Sequence, residues 1–437
     1  MLSIIIILSI ALAIFLGYRT KINTGLFCIV FAYIIGCFVM GLKPKQIIGF
    51  WPTSTMFVIL SVSLFYNFAA INGTLEKMSG ALLYACRNFP GLLPYALFAV
   101  AVILSVMGAT FFTVLAFLAP ITLVICDESR MDKLTGAVAI NCGALAGGNF
   151  PTSNLGVVFR GLSDTAYEAS PEIAAVDSFN MEMKIFAFAI FFSLILITIF
   201  RFGFKENRNI GKGVTFKKPE SFTKDQKTTL TLMMAMMAVV LIFPLLNILM
   251  PGNAAVKYIS GKVDVGLVAI IFTVIALLLK LAPQKEAIAK VPWNTIIMIA
   301  GAGMLIAVAV EAGTIEALST WIGSNVPKPL VPIAFCLVGA IMSFFSSTTG
   351  VVAPALFPLI PNLAASVGLS APVLFACTIL GTHSSAISPF PSGGSLILGS
   401  TPKEEERNEL FNRLLMVAVP ISVITCTIYN FVIAMVL

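Results

Sequence analysis

The sequence has very little charge for its length. Only 11% of its 437 residues are Asp, Glu, Lys or Arg, whereas 59% are hydrophobic, and the mean hydropathy is +1.00. A soluble core does not need so much apolar sequence, and runs such as SIIIILSIALAIFLG and KIFAFAIFFSLILITIF are typical of membrane helices. We therefore predict an all-α polytopic membrane protein.

Signatures of catalysis and of ATP hydrolysis are missing. The chain has no HExxH, GxSxG or aspartyl-pair motif and no GxxxxGK[ST] loop, so neither an enzyme nor ATP coupling within this chain has support. An intramembrane hydrolase would have to pair a serine, for example Ser384, Ser385 or Ser395, with His383. The eight cysteines form no CxxC pair and mostly lie in apolar runs, which favours small core residues over metal ligands or disulfides.

The net charge of +7 comes from basic residues in short loops, without an aromatic-interleaved basic patch, so nucleic acid is not an expected partner. Predicted crossings lie near 3–17, 24–41, 52–71, 133–160, 183–201, 228–250, 264–282, 292–311, 370–399 and 410–436. If the two remaining apolar stretches, 92–127 and 330–364, each enter and leave on one side, most Lys and Arg residues share one face. The positive-inside rule makes that face cytoplasmic. We predict a plasma (inner) membrane location with both termini external and with the acidic segment 163–182 as solvated external surface.

The chain contains an internal repeat. The segment from Trp51 aligns without gaps on the segment from Val291, and the matches continue at a nearly constant offset. Matched positions include Pro52 with Pro292, Gly73 with Gly313, Thr110 with Thr348, Gly143 with Gly381, Pro151 with Pro389 and Gly156 with Gly394. Each half holds an odd number of crossings, so we predict inverted repeats over 1–202 and 228–437, joined by the basic cytoplasmic linker 203–227, as in many secondary transporters.

Four polar interruptions fall inside apolar sequence. The stretches 92–127 and 330–364 are predicted re-entrant hairpins, broken by SVMGATFFT and MSFFSSTTG. The crossings 133–160 and 370–399 are predicted broken helices, with links at GGNFPTSNLG and AISPFPSGGS. Non-helical chain survives at membrane depth only where protein, water or a ligand satisfies its backbone. New helix N-termini near Ser153 and Ser392 would offer free N–H donors that attract anions.

Hydroxyls and amides at these interruptions can donate to carboxylate oxygens, and freed carbonyls can hold a small cation. The predicted substrate-binding residues are Thr110, Asn149, Thr152, Ser153, Asn154, Ser347, Thr348, Thr349, His383, Ser388, Ser392, Gly393 and Gly394. A possible sodium site lies near Thr110, Gly148, Asn149, Ser346, Ser347 and Ser388. The alternative is that Ser and Thr only bond their own helices and that Gly only permits close helix packing.

Two ionisable residues stand near the predicted breaks. His383 is a functional candidate because ionisable residues are costly inside a membrane; it would contact the substrate, carry a proton or cap freed carbonyls. Arg160 lies near a helix end, where a charge that reaches the interface is expected more often than a substrate contact.

At these residues the chain resembles the ion transporter superfamily of elevator carriers, in particular the malonate/dicarboxylate carrier group, which is related to the divalent anion:sodium symporters. NFPTSNLGVVFRGL and SPFPSGGSLILGS resemble that group's two broken-helix motifs. The resemblance implies a homodimer in the lipid bilayer, with a fixed scaffold and a mobile transport domain that holds the hairpins. It also implies no cofactor other than a coupling ion.

The hairpin tips depart from the resemblance. The divalent anion:sodium symporters carry Ser-Asn-Thr at both tips, whereas here the tips read Gly108-Ala109-Thr110 and Ser347-Thr348-Thr349. Sodium and proton coupling therefore both stay open. We expect a secondary active carrier of small di- or tricarboxylates of the malonate, malate, succinate or citrate class. The alternatives are a carrier of another organic anion and a sodium/proton antiporter, which normally needs a buried acid; only Glu311 lies at the end of a predicted crossing.

Overall fold

The computed structural model describes residues 2–85, 90–204, 207, 220–250, 253–260, 262–345, 348–389, 393–401 and 404–436. Within these ranges every regular element is a helix. The first half contains α1 (Leu2–Thr20), α2 (Thr24–Tyr33), α3 (Pro44–Gly49), α4 (Thr53–Ile71), α5 (Thr74–Ala85), α6 (Leu93–Val106), α7 (Phe111–Ser129), α8 (Lys133–Gly148), α9 (Asn154–Glu168) and α10 (Ser178–Gly203). The second half contains α11 (Lys224–Leu249), α12 (Ala254–Ser260), α13 (Val265–Leu278), α14 (Gln284–Ala289), α15 (Trp293–Glu311), α16 (Thr314–Asn325), α17 (Val331–Phe345), α18 (Ala353–Leu356), α19 (Ile360–Val367), α20 (Ala371–Ser385), α21 (Gly393–Gly399), α22 (Glu404–Arg413) and α23 (Val419–Val436).

Several helices are apolar enough for a bilayer but differ in length. Among the described residues, four segments are long enough to cross by themselves: Phe111–Ser129, Ser178–Gly203, Thr348–Val367 and Glu404–Val436. By contrast, α6 has 14 residues, and at 1.5 Å per residue it reaches only about 21 Å, short of the ~30 Å hydrocarbon core. A helix of that length suits one arm of a hairpin. The number of crossings and the inversion of the second half stay predictions.

The helices pack into two groups. The hairpin group contains α6 to α10 and α17 to α23, and the frame group contains α1 to α4 and α11 to α15. The two remaining helices, α5 and α16, contact both groups. The broken helices lie at the centre of the hairpin group, because every residue of 134–148 in α8 and of 373–385 in α20 is buried. The groups meet mainly where α4 contacts α9 and where α15 contacts the chain around Thr348–Val352.

Equivalent positions of the two predicted repeats make the same close contacts. Gly143 of α8 lies so near α6 that a Cβ would overlap the Phe98 carbonyl oxygen. Gly381 of α20 has the same relation to the Cys336 carbonyl oxygen of α17, and Cys336 is the repeat partner of Phe98. Small residues permit such backbone approach between membrane helices. These contacts support a structural repeat of hairpin arm against broken helix.

The acidic segment 163–182 is exposed at Asp164, Glu168, Glu172 and Asp177, as its composition predicts, but not at Glu182. Helix α9 continues to Glu168 and buries Ala166 and Tyr167, and α10 already begins at Ser178. Glu182 is 0% exposed. Among these acids the prediction fails at Glu182 alone, because α10 begins before its apolar run and this turn of the helix packs against its neighbours. Glu182 stands one residue before the predicted crossing 183–201, so it is a second acid, besides Glu311, at the end of a predicted crossing.

Candidate functional site

The first helix break is a buried link held from two sides. Helix α8 ends at Gly148, and α9 begins at Asn154 with Ser153 as its N-cap residue. The Ser153 hydroxyl donates to the Ser105 carbonyl oxygen at the end of α6. The Arg160 guanidinium Nη1 donates to the Pro151 carbonyl oxygen over 3.2 Å. The Arg160 side chain therefore satisfies a carbonyl of the link that no helix pairs, and Ser153 joins the link to the end of α6.

The second break uses the backbone itself. Helix α20 ends at Ser385, and α21 begins at Gly393, whose N–H donates to the Ala386 carbonyl oxygen over 3.0 Å. Ser388, in the described part of this link, is fully buried. Ser392, predicted to bind substrate, lies outside the described residues. Gly393 and Gly394 are both buried at the start of α21.

The first hairpin tip is a tight turn between α6 and α7. Gly108 has φ +92°, a conformation that residues with a Cβ rarely adopt. The ring of Tyr66 from α4 occupies the place where that Cβ would be. Thr110 caps α7: its Oγ1 accepts from the Thr113 N–H over 3.2 Å and lies 2.8 Å from the Thr113 hydroxyl. The tip is thus shaped by a glycine, a cap and a ring of the frame group.

The second hairpin tip is only partly described. Ser346 and Ser347, both predicted site residues, lie outside the described residues. The chain continues through a short π-helical segment, Thr348–Val352, and the Thr348 hydroxyl lies 3.0 Å from the Ser343 hydroxyl. Short π-helical segments are frequent at functional sites.

Buried polar atoms without partners collect around the breaks and the first tip. Among the described residues these include the Asn149 side-chain amide, Thr152 Oγ1, Ser105 Oγ, Asn141 Oδ1 and His383 Nε2. Such atoms are rare in folded proteins, and each costs about 1–3 kcal/mol unless water or a ligand pairs with it. Asn141 was not predicted from the sequence, because a single amide within an apolar helix reads as one that bonds its own backbone.

A cavity of about 170 Å³ lies between the two helix groups at this level. It brings together five of the predicted site residues, Thr110, Asn154, Thr348, Thr349 and His383. Its apolar wall consists of Ile59, Phe111, Phe112, Leu145, Leu155, Val158, Pro292 and Ala386. Other predicted residues, namely Asn149, Thr152, Ser153, Ser388, Gly393 and Gly394, are buried outside this lining. The described lining contains no Lys or Arg, so an anion would be held there by hydroxyl, amide, imidazole and backbone donors.

A second cavity of about 580 Å³ also lies between the groups. Its charged lining residues are Arg160, Asp164, Glu168, Asp264 and Glu311. This cavity is larger but holds none of the predicted substrate-binding residues, and its carboxylates disfavour an anion. We therefore take the smaller cavity as the candidate site.

Comparison with known sequences gives two family matches. Residues 1–148 match the family described as the N-terminus of dicarboxylate carrier protein MatC. Residues 258–435 match the citrate transporter family. The resemblance to dicarboxylate carriers that was predicted from the motifs is confirmed, and both families are transporters rather than enzymes. No curated protein sequence matches the chain at a significant level.

Solved structures share the fold at low sequence identity. The Alcanivorax borkumensis YdaH transporter, reported to have an unusual topology, is 18% identical with a TM-score of 0.65, over 89% of this chain and 87% of its own. Neisseria gonorrhoeae MtrF, reported as one of a class of antimetabolite efflux pumps, is 14% identical with a TM-score of 0.62, over 93% and 84%. With these folds and the apolar helices, the chain is a multi-pass membrane protein, and its two ends are similar to the dicarboxylate carrier and citrate transporter families.

Proposed function

We propose that the protein is a secondary active carrier of a small di- or tricarboxylate of the malonate, malate, succinate or citrate class. The substrate would bind in the 170 Å³ cavity, and the hairpin group would carry it across the membrane against a fixed frame group. Transport would be coupled to sodium or protons. The working unit would be a homodimer in the plasma (inner) membrane with external termini.

The unpaired buried polar atoms carry the proposal. Asn149, Thr152 and His383 lie at or beside the helix breaks. Each has a side-chain polar atom that is buried and has no hydrogen-bond partner. Leaving them so would destabilise the fold, so a bound partner is the simplest account. Amide and hydroxyl groups serve both as donors to a carboxylate and as acceptors toward a small cation. A carboxylate in the cavity would pair with His383, and a coupling ion at the first break would pair with Asn149 and Thr152, which lie outside the cavity lining.

The position of the cavities supports an elevator motion. Both cavities lie between the hairpin group and the frame group, with walls from each. A cavity inside one group would be opened by side-chain movement, whereas a cavity between two groups is opened and closed when one slides past the other. The backbone contacts of α6 with α8 and of α17 with α20 favour movement of the hairpin group as one piece.

Asn149, at the end of α8, marks a place for the coupling ion. Asn149 Oδ1 is buried and unpaired next to the end of α8, where Gly148 and the first hairpin tip were predicted to hold sodium. Carbonyl oxygens at helix ends and breaks are typical sodium ligands in carriers. We propose this place for sodium if sodium is the coupling ion.

The first test is uptake into proteoliposomes. Labelled malonate, malate, succinate and citrate would each be offered with an inward sodium gradient, a proton gradient or neither. Concentrative uptake of one acid under one gradient is the expected result. If no acid is taken up while the reconstituted protein is folded and correctly inserted, the substrate class is wrong.

Site variants locate the binding residues within the same assay. Asn154→Ala should reduce uptake because Asn154 lines the cavity, with Ser153→Ala and Ser392→Ala as further site variants. Asn325→Ala is the matched control, because this exposed asparagine only bonds the Trp321 carbonyl oxygen in its own helix. Normal uptake by all three site variants would contradict the placement of the site.

A sodium/proton antiporter is the second candidate, and buried Glu182 favours it because such antiporters need a buried acid. Sodium efflux driven by a proton gradient, in liposomes without any carboxylate, would identify this activity. Its absence together with acid uptake would leave the carboxylate carrier.

A further inference from the structure

Glu182 is a carboxylate buried without a partner. It stands in the second turn of α10 and is 0% exposed. Neither carboxylate oxygen has a hydrogen-bond partner among the described residues. An ionised carboxylate in such a place is costly unless it is paired, so the group either binds a proton or attracts a cation.

Arg160 is the cationic side chain whose charge acts on Glu182. Its guanidinium lies over the ring of Phe179, 5.5 Å from the centroid. Phe179 and Glu182 are three residues apart in α10 and therefore lie on one face of that helix. The Arg160 charge acts on Glu182, yet the two form no ion pair. Instead, Nη1 bonds the Pro151 carbonyl oxygen, and Nε is buried without a partner.

Other groups around Glu182 leave Arg160 as its single charged neighbour of opposite sign. On α9, Asp164 accepts a hydrogen bond from the Ser178 hydroxyl over 3.3 Å, and Tyr167 packs on Phe375. Asp177 caps α10 by accepting from the Asn180 N–H.

The other helices on α10 contribute only neutral groups at this end. From α20 and α23, Val373, Cys377 and Ile433 pack against Phe188, and the Tyr429 hydroxyl donates to the Phe188 carbonyl oxygen. In α8 and α6 the titratable residues Lys133 and Tyr95 stand in the first helical turn, at the ends that lie away from Glu182. Cys142, in the middle of α8, is neutral as a thiol. A change in the charge of Glu182 therefore acts mainly on Arg160.

We infer that Glu182 is the proton-binding group of the carrier and that it acts through Arg160 on the link 149–153. With a proton on its carboxylate, Glu182 is neutral, and Arg160 stays on the Pro151 carbonyl. When the O–H bond breaks and the proton leaves to water, the negative carboxylate draws the guanidinium toward α10 and releases the link. Because the link leads directly into Asn154, which lines the small cavity, proton binding alters the geometry of the substrate site.

Arg160 of α9 lines the larger cavity, whereas Glu182 does not, so the proton reaches Glu182 from that cavity by passing Arg160. Water in that cavity supplies the proton on one side, and the hairpin group carries it across as part of its own movement. Glu182 is a positioning residue in this scheme, because it does not touch the substrate. The inference rests on the proposed carrier function, but proton binding by Glu182 can be measured without transport.

The experiment combines infrared spectroscopy with transport on the purified full-length protein. Wild type should show the C=O stretch of a protonated buried carboxyl group that disappears as the pH is raised. Glu182→Gln should lack this band, and Glu172→Gln, an exposed acid in the same segment, should keep it. In proteoliposomes, Glu182→Gln should lose stimulation of acid uptake by a proton gradient but keep exchange of labelled for unlabelled acid. Glu182→Asp should restore part of the stimulation.

Separate outcomes overturn separate claims. A titrating band that persists in Glu182→Gln, or full proton stimulation in that variant, overturns the role of Glu182 while the carrier function stands. Acid uptake driven by sodium alone in wild type overturns proton coupling. If no acid is transported at all, the proposed function fails, and the infrared band still decides whether Glu182 binds a proton.

Discussion

The two sides of the small cavity come from equivalent positions of the two halves but differ in chemistry. Thr110 and its repeat partner Thr348 both line the cavity. At the next position the first half presents Phe111 and the second Thr349; where the second half presents His383, the first has Leu145. The repeat thus builds a cavity whose second-half wall adds Thr349 and His383 where the first half has Phe111 and Leu145, so the second-half wall is called the polar wall, although Asn154 of the first half also lines the cavity. A substrate with a carboxylate and a hydrocarbon body suits such a pair of walls.

The difference extends to the breaks. The first link is tied by Ser153 to the hairpin and by Arg160 to its own helix. The repeat partner of Arg160 is Leu398, which cannot make such a bond. In the first half a charged side chain, Arg160, bonds the link, and the second half supplies the polar wall of the cavity.

The largest effect on uptake is expected from replacing His383 of the polar wall by an apolar residue. His383→Leu gives the second half the residue of the first and removes the buried Nε2 that has no protein partner. A hydrogen bond to a charged group contributes about 1.5–3 kcal/mol, so uptake efficiency should fall roughly ten- to hundredfold. His383→Gln, which keeps a donor, should retain part of the uptake. Initial-rate uptake over a range of acid concentrations measures both, and equal efficiency of His383→Leu and wild type would remove His383 from the site.

A smaller effect is expected from Thr348→Val, which keeps the shape but removes the hydroxyl next to Ser343. One neutral hydrogen bond contributes about 1 kcal/mol, so the apparent affinity should weaken about fivefold while the melting temperature changes little. Uptake and thermal unfolding are measured on the same preparation. A large fall in melting temperature would instead assign Thr348 to the hairpin fold.

The equivalent change in the first half, Thr110→Val, should lower mainly the stability of the fold. Thr110 is the N-cap of α7, and loss of a cap costs about 1 kcal/mol. The melting temperature should fall, and Thr110→Ser, which preserves the capping oxygen, should restore it. Unchanged stability with reduced affinity would make the two threonines functionally alike and weaken the contrast between the walls.

The smallest effect is expected from Ser153→Ala, which leaves the Ser105 carbonyl without its side-chain partner. Because Arg160 still holds the link, the loss should be about 1 kcal/mol or less, and uptake should fall no more than about fivefold. Combining Ser153→Ala with Arg160→Gln should lower uptake by more than the sum of the two separate effects in free energy. Additive effects would show that the two bonds hold the link independently.

Much of the fold follows from the sequence because backbone groups at membrane depth obey a strict rule. Pro151 and the glycines around it predicted a break, and the helices end at Gly148 and resume at Asn154. Likewise, the polar interruption after Ser105 coincides with the turn between α6 and α7. Thr110, Asn154 and His383 were predicted as site residues from the same reasoning and line one cavity.

What escaped prediction depends on packing between distant segments. Phe111 and Leu145 are ordinary apolar residues in sequence, and only the folded chain places them in one cavity with Thr348, Thr349 and His383. Glu182 was assigned to a loop because α10 begins at Ser178, several residues before its apolar run. Composition locates a charge along the chain, but its burial depends on which helix covers it.

The contacts of Gly143 with Phe98 and of Gly381 with Cys336 have a mechanical consequence. Where backbones touch, there is no flexible side chain between them to take up strain, so a hairpin arm and its broken helix respond to force as one stiff body. A ligand that shifts either tip by a fraction of an ångström therefore displaces the far end of the paired helix by a comparable amount. Amides of α8 and α20 should accordingly exchange their hydrogens together with those of α6 and α17, as single cooperative units.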